Sequence, residues 1–225
     1  MKVTYYGQSC VQVEANGKTL LFDPFITPNE LAKHIDISTL KPDFILLTHG
    51  HGDHVADAPA IAKQSGATVI AVVEMQAWLN ENGVDKVEVI NFGGKRVFDF
   101  GSAKFVNAIH TSSTPDGKYA GQPGGFMIDS GTETFYHAGD TALTYDMKLL
   151  ANDNLKFAFL PIGDFFTMGI DDAIKAAEFI NCKNIVGIHY DTFPPIKIDR
   201  EEALSKFRAA GLTLHLPAIG ETIDL

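Results

Sequence analysis

The chain has 225 residues, 45% of them hydrophobic and 20% charged, the balance of a folded globular protein. Its net charge of −10 argues against nucleic acid as a partner, because polyanions call for a basic surface. No stretch offers the roughly 20 apolar residues that a membrane helix needs. The N-terminus has no signal-like apolar core. The two cysteines, Cys10 and Cys182, are too few for a disulfide scaffold, and both read as buried inert thiols. The expectation is one domain over residues 1–225, cytoplasmic, without a membrane partner and with homo-oligomerisation left open.

In chain order, "MKVTYYGQSC" reads as a first strand. "CVQVEANGKTLLFD" reads as a hairpin about Asn16-Gly17, two residues that tolerate positive φ. "DFILLT" is a short apolar run of the kind that forms a buried central strand. Residues 58–65 pattern as a helix stopped by Gly66, "ATVIAVV" as a strand, and "EMQAWLNENG" as a helix ending near Gly83. "KVEVINF", "KRVFDFG" and "AKFVNAIH" are β-rich, and a hairpin follows about Ser130-Gly131. Then come strand "KFAFLPIG", helix "IDDAIKAAEFINC" capped by Asp171 or Asp172, strand "NIVGIHY" and helix "DREEALSKFRAAG". Two β-rich halves, each with helices, predict two sheets packed face to face with helices outside, an α/β protein. The polar loops 25–43 and 111–124 are long enough to suggest function.

The densest chemistry lies directly after "FILL", in "THGHGDH". Imidazole and carboxylate are ligands for zinc and similar ions. His49 and His51, two apart, project the same way from an extended segment, whereas Asp53 and His54 diverge. A turn eased by Gly50 and Gly52 would carry the latter pair toward a second centre. His110, Asp140 and His189 each follow an apolar strand, so seven candidate ligands collect at strand ends.

"THGHGDH" matches the T-H-x-H-x-D-H signature of the metallo-β-lactamase superfamily, and the ordered later His110, Asp140 in "AGDT" and His189 match its remaining ligands. With "YYGQSCVQVEANGKTLLFDPF" and "GIHYDTFP", the whole chain resembles a branch of metal-dependent hydrolases related to ascorbate-6-phosphate lactonase. The resemblance implies a four-layer αββα sandwich with the site at one edge. It implies two divalent ions per chain, zinc first, with manganese, iron or nickel also compatible. By position, His49, His51 and His110 would hold one ion, Asp53, His54 and His189 the other, and Asp140 would bridge. The implied activity is hydrolysis of a small-molecule ester, lactone or phosphate ester by a metal-bridging hydroxide. Asp53 would orient the nucleophile or pass its proton.

A phosphodiesterase or nuclease of the same fold is the alternative, disfavoured by the acidic balance and the lack of a basic arm. A redox di-iron protein is disfavoured by His51, where such relatives carry glutamate. A non-catalytic module would have lost a ligand. Where relatives have Gly-His-Ser, this chain has Gly7-Gln8-Ser9, and Gln8 can hydrogen-bond but cannot carry a proton. Asp23 reads equally as a turn residue or an orienter of a ligand histidine. His137 reads as supporting, His34 and His215 as ordinary, and Tyr190 and Met168 as either packing or site-lining. The loop from Thr111 to Gly124 is expected to cover the substrate, with Lys118 as a candidate contact.

Overall fold

The computed structural model describes residues 1–225. The first half forms β1 (Lys2–Gly7), β2 (Cys10–Ala15), β3 (Lys18–Phe22), β4 (Phe44–Leu46), helices α1 (Gly52–Val55) and α2 (Ala58–Ser65), β5 (Thr68–Val72), α3 (Met75–Glu81) and β6 (Val87–Ile90). The second half forms β7 (Lys95–Phe98), β8 (Gly101–Asn107), β9 (Gly124–Asp129), β10 (Thr134–His137), β11 (Leu155–Pro161), α4 (Ile170–Phe179), β12 (Asn184–Ile188), α5 (Arg200–Ala209) and β13 (Thr213–His215). A last strand, β14 (Thr222–Asp224), returns to pair with β1.

Each half builds a seven-stranded sheet, in the orders β14-β1-β2-β3-β4-β5-β6 and β13-β12-β11-β10-β9-β8-β7. The inner faces meet through aromatic side chains. Phe22 of β3 lies edge-on to Phe126 of β9 and Phe135 of β10, with ring centroids 6.3 and 5.9 Å apart. Phe44 of β4 meets Phe98 of β7 at 5.7 Å. Such contacts combine burial of large rings with favourable edge-to-face geometry. Helices α2 and α3 pack on β5, and α4 and α5 on β11 and β13, so helices form the outer layers. This is the expected αββα sandwich. No helix is long and apolar enough to cross a membrane.

The expected local signals hold in detail. Val13 pairs with Leu20 and Ala15 with Lys18 around Asn16 and Gly17, both at positive φ (48° and 74°). Helix α2 ends at a left-handed Gly66, whose N–H donates to the Ala62 carbonyl. The cap of α4 differs. Gly169 occupies it, and Asp171 and Asp172 fall in the first turn, where their charge meets the positive helix end.

The topology decides where the chemistry gathers. Strands β3, β4 and β5 run parallel in one sheet. Strands β10, β11 and β12 run parallel in the other, and β8 shares their direction because β9 is antiparallel to both β8 and β10. The C-terminal ends of β4, β8, β10 and β12 therefore deliver His49, His110, Asp140 and His189 to one rim.

Candidate metal centre

The polar segment after β4 stays extended through His51 (φ −62°, ψ 146°) and then coils into the single turn of α1. The His54 and Val55 N–H groups both donate to the His51 carbonyl, at 2.9 and 3.2 Å. That turn swings Asp53 and His54 away from His49 and His51. The two glycines are not needed for it, since neither has positive φ. Gly50 is required for space: a Cβ there would come 2.4 Å from the Ala120 Cβ and 3.0 Å from the Ser113 carbonyl.

Two groups of ligand-type atoms result, His49–His51–His110 and Asp53–His54–Asp140–His189, each gathered within 4.8 Å and each able to hold a metal ion. Asp140 lies between them. Its Oδ2 is 3.0 Å from His189 Nε2, 3.5 Å from His110 Nε2 and 4.0 Å from His49 Nε2, and its Oδ1 is 3.3 Å from His54 Nε2. No helix begins at Thr141, so Asp140 is not a cap.

Beneath this layer Asp23, fully buried, accepts three hydrogen bonds. The donors are the Thr48 N–H (2.8 Å), the Thr48 hydroxyl (2.6 Å) and His54 Nδ1 (2.9 Å). The Thr48 hydroxyl spends its only proton on Asp23, so at 3.1 Å it accepts from His49 Nδ1. Both imidazoles thus carry a proton on Nδ1 and turn Nε2 inward, the arrangement that orients metal-binding histidines.

Gln8 is buried at φ +51°; its side-chain amide donates to Asp53 Oδ2 at 2.9 Å and its backbone carbonyl accepts from the His189 N–H at 2.8 Å. Asp23 (φ +43°) and His189 (φ +54°) share this left-handed backbone. Such strain in non-glycine residues collects where structure must aim a group.

His137 sits outside both groups. It accepts from the Gly139 N–H (3.1 Å), faces the Ser9 carbonyl (3.2 Å) and stacks on Phe22, supporting the turn that leads to Asp140. Tyr190 is buried against Tyr5, and Met168 is buried in the core. His34 contacts the Ile219 carbonyl, and His215 lies on β13.

Charge follows the geometry. Burial pushes His49, His51 and His110 below the ordinary imidazole value. For His54 burial opposes the charge, but Asp140, Asp53 and Asp23 outweigh it and hold the ring well above that value. Burial likewise opposes the charge of His189, and Asp140 outweighs it, raising the group to about 9. Burial also opposes ionisation of Asp53 and Asp140, yet His54 keeps both well below the usual carboxylate range.

A stability prediction follows for metal-stripped protein. The folded pKa of His189 lies above its unfolded value of 6.5, so its stabilisation is complete below pH 6.5 and fades as pH rises through about 9. The urea midpoint of stripped protein should fall between pH 6.5 and 9, and metal-loaded protein should not show this fall. Equal midpoints for stripped protein across that window would contradict the charge assignment.

A cavity of about 450 Å³ opens over the two groups. Its walls are His51, Asp53, His110, Thr111, Asp140, Phe166 and Phe193. Lys118 is not among them: its ammonium meets Glu81 at 3.0 Å and Asp116 at 3.1 Å on the protein surface. The 111–124 loop contributes Thr111; its two ends pack on the segment after β4, while residues 115–119 are exposed. Ser113 bridges to Tyr119, Ser112 Oγ accepts from the Gly50 N–H, and Ala120 is buried. The two phenylalanines escaped the sequence reading. The adjacent aromatics of "GDFFTMG", directly after an apolar strand, were the available signal for Phe166.

Fold and site together define a metal-dependent hydrolase of the metallo-β-lactamase superfamily, with a His/Asp cluster able to bind metal. Residues 18–190 match the model of the beta-lactamase superfamily domain. The chain is 53% identical to a UPF0173 metal-dependent hydrolase of Christiangramia forsetii and 50% identical to one of Flavobacterium johnsoniae, with all of both chains covered in each case. The solved structure of Igni18, a metallo hydrolase from Ignicoccus hospitalis, superposes with a TM-score of 0.89 at 33% identity, covering 99% of this chain and 97% of that one. The chain belongs to the UPF0173 metal-dependent hydrolase family of this superfamily.

Proposed function

We propose that the protein hydrolyses a small-molecule ester, lactone or phosphate ester with two divalent ions, zinc first among them. The observation that carries this reading is the convergence of seven imidazole and carboxylate side chains in two adjoining groups, of which His51, Asp53, His110 and Asp140 line one cavity. Its volume falls within the roughly 300–1,000 Å³ of small-ligand sites.

The donor set fits cations. The buried His54 Nε2 and Asp140 Oδ1 face each other at 3.3 Å and meet no other hydrogen-bonding group, and inward-facing nitrogen lone pairs beside two carboxylates repel one another unless positive charge lies between them. His49, His51 and His110 would hold one ion, and Asp53, His54 and His189 the other. Asp140 would face both. Nitrogen-rich ligation suits zinc, and manganese, iron or nickel are also compatible. Bound ions of this kind supply Lewis acidity and make water nucleophilic near neutral pH.

The chain's own groups set the rest. Asp53 borders the cavity as an anion, pinned by the Gln8 amide, and so can accept a hydrogen bond from the attacking water. Gln8 carries no titratable proton, so its part is to position Asp53. In ester or lactone hydrolysis the water oxygen bonds to the carbonyl carbon and the carbon–oxygen bond to the leaving alcohol breaks. One water proton goes to the leaving oxygen, and the other is lost as the acid ionises.

Metal titration of chelator-stripped protein tests the reading. Zinc should saturate near two equivalents, and hydrolysis within a panel of lactones, aryl esters and phosphodiesters should return only with metal. Saturation at one equivalent with full turnover would refute the two-ion centre.

A further inference from the structure

The cavity walls select for a kind of substrate, and this inference rests on the hydrolytic reading above. Beside the acidic and imidazole groups the cavity is lined by Phe166 and Phe193. Phe166 remains 50% exposed and its neighbour Phe165 71%, in a protein that otherwise buries most of its phenylalanines. The two rings meet edge to face, with centroids 4.7 Å apart at 87°. Exposed aromatic surface beside a cavity marks a binding wall.

The backbone is built to hold that wall. Asp164 and Phe165 both have φ +60°, two consecutive non-glycine residues in the left-handed region. The turn is tied by the Asp164 N–H to the Met168 carbonyl (3.0 Å) and by the Phe165 N–H to Asp164 Oδ1 (2.7 Å). Met168, fully buried, donates in turn to the Thr141 carbonyl, next to Asp140. The second lining aromatic is packed too: the Phe193 ring lies 6.3 Å from Phe25. The two walls are coupled at their bases, where a Cβ on Gly163 would come 2.1 Å from the His189 carbonyl.

Charge completes the argument. No lysine or arginine lines the cavity, while Asp53 and Asp140 do. Lys118 is paired with Glu81 and Asp116, and Arg200 lies against Asp191 and the Leu216 carbonyl. A phosphorylated sugar would present its remote anionic group to aromatic rings and carboxylates, without the guanidinium or ammonium that phosphate recognition uses. An aromatic or bulky aliphatic group would instead find two ring faces.

We infer that the substrate is an uncharged small ester or lactone with an aromatic or bulky apolar group, held between Phe166 and Phe193 with its scissile bond over Asp53 and Asp140.

Two matched sets of probes test this. Binding of 1-indanone, cyclopentanone and glucose 6-phosphate is followed by NMR on metal-loaded protein. Hydrolysis is followed with dihydrocoumarin and δ-valerolactone, the same lactone ring with and without the fused aryl. Indanone should bind more tightly than cyclopentanone, and glucose 6-phosphate should bind weakest. F166A and F193A should each weaken indanone binding and raise the dihydrocoumarin KM by about tenfold, a larger loss than for δ-valerolactone, with metal content unchanged, and F166W should keep the aryl preference. Indanone binding that both alanine variants leave intact would overturn the inference, as would glucose 6-phosphate binding more tightly than indanone. Phe166-dependent indanone binding without hydrolysis of any carboxylic ester or lactone would overturn the ester and lactone assignment, and silence toward the phosphodiesters as well would remove the hydrolytic reading.

Discussion

Asp140→Ala should lose metal from both positions and lower turnover by at least about a thousandfold, because in the proposed two-ion centre its one carboxylate would face both groups. Its two oxygens approach His54, His110 and His189 at 3.0 to 3.5 Å, a reach that none of the other six shares. The substitution also removes the principal partner that keeps His189 protonated in stripped protein. The variant should therefore lose the fall in urea midpoint between pH 6.5 and 9 expected of stripped wild type. That readout does not depend on activity. Asp140→Asn keeps the shape and one acceptor, so it separates loss of charge from loss of packing; it should behave like alanine in metal content and like wild type in fold. His34→Ala, at an exposed contact to the Ile219 carbonyl, should change none of these quantities. Two retained equivalents of metal in Asp140→Ala would remove Asp140 from the centre.

Much of this arrangement was legible in the sequence because it is written in short-range patterns. The hairpin at Asn16-Gly17 and the stop at Gly66 depend on local backbone preference, and both stand where they were expected. The rim of site residues was legible for a different reason. Each follows an apolar strand, and parallel strands bring their C-terminal ends to one edge whatever lies between them.

What stayed hidden depends on distant contacts. Gly50 looked like a hinge in the sequence, yet its constraint comes from Ala120, seventy residues on. Lys118 looked available to a substrate because its loop begins at His110; Glu81 and Asp116 hold it elsewhere. Phe166 and Phe193 belong to separate loops, and only the folded sheet order places them across one cavity. The equal choice for Asp23 between turn residue and orienter could not be decided from Asp-Pro alone. Its three buried donors come from Thr48 and His54, residues joined to it only by the β3–β4 pairing.

Asp23 therefore yields the sharpest separation between fold and metal binding. Asp23→Ala would strand three donors in a fully buried place: the Thr48 N–H, the Thr48 hydroxyl and His54 Nδ1. Breaking a buried charged hub of this kind costs about 3–5 kcal/mol, so the variant should unfold at much lower urea or fail to accumulate. Asp23→Asn is the informative partner. Its side-chain oxygen can still accept from the Thr48 N–H, but its amide stands where both the Thr48 hydroxyl and His54 Nδ1 donate. The ring resolves the clash by moving its proton to Nε2, which withdraws the inward lone pair from the group with Asp53, Asp140 and His189. The Thr48 hydroxyl then accepts from the amide and turns its own proton to His49 Nδ1, which moves the His49 proton to Nε2 and weakens the His49–His51–His110 group as well. The expected result is a protein near wild-type stability in which both equivalents of zinc bind about 10–100-fold more weakly. Stepwise zinc titration by calorimetry, alongside urea unfolding, reads both quantities. Two equivalents bound with wild-type affinity in Asp23→Asn would show that the tautomer of His54 is not what Asp23 controls.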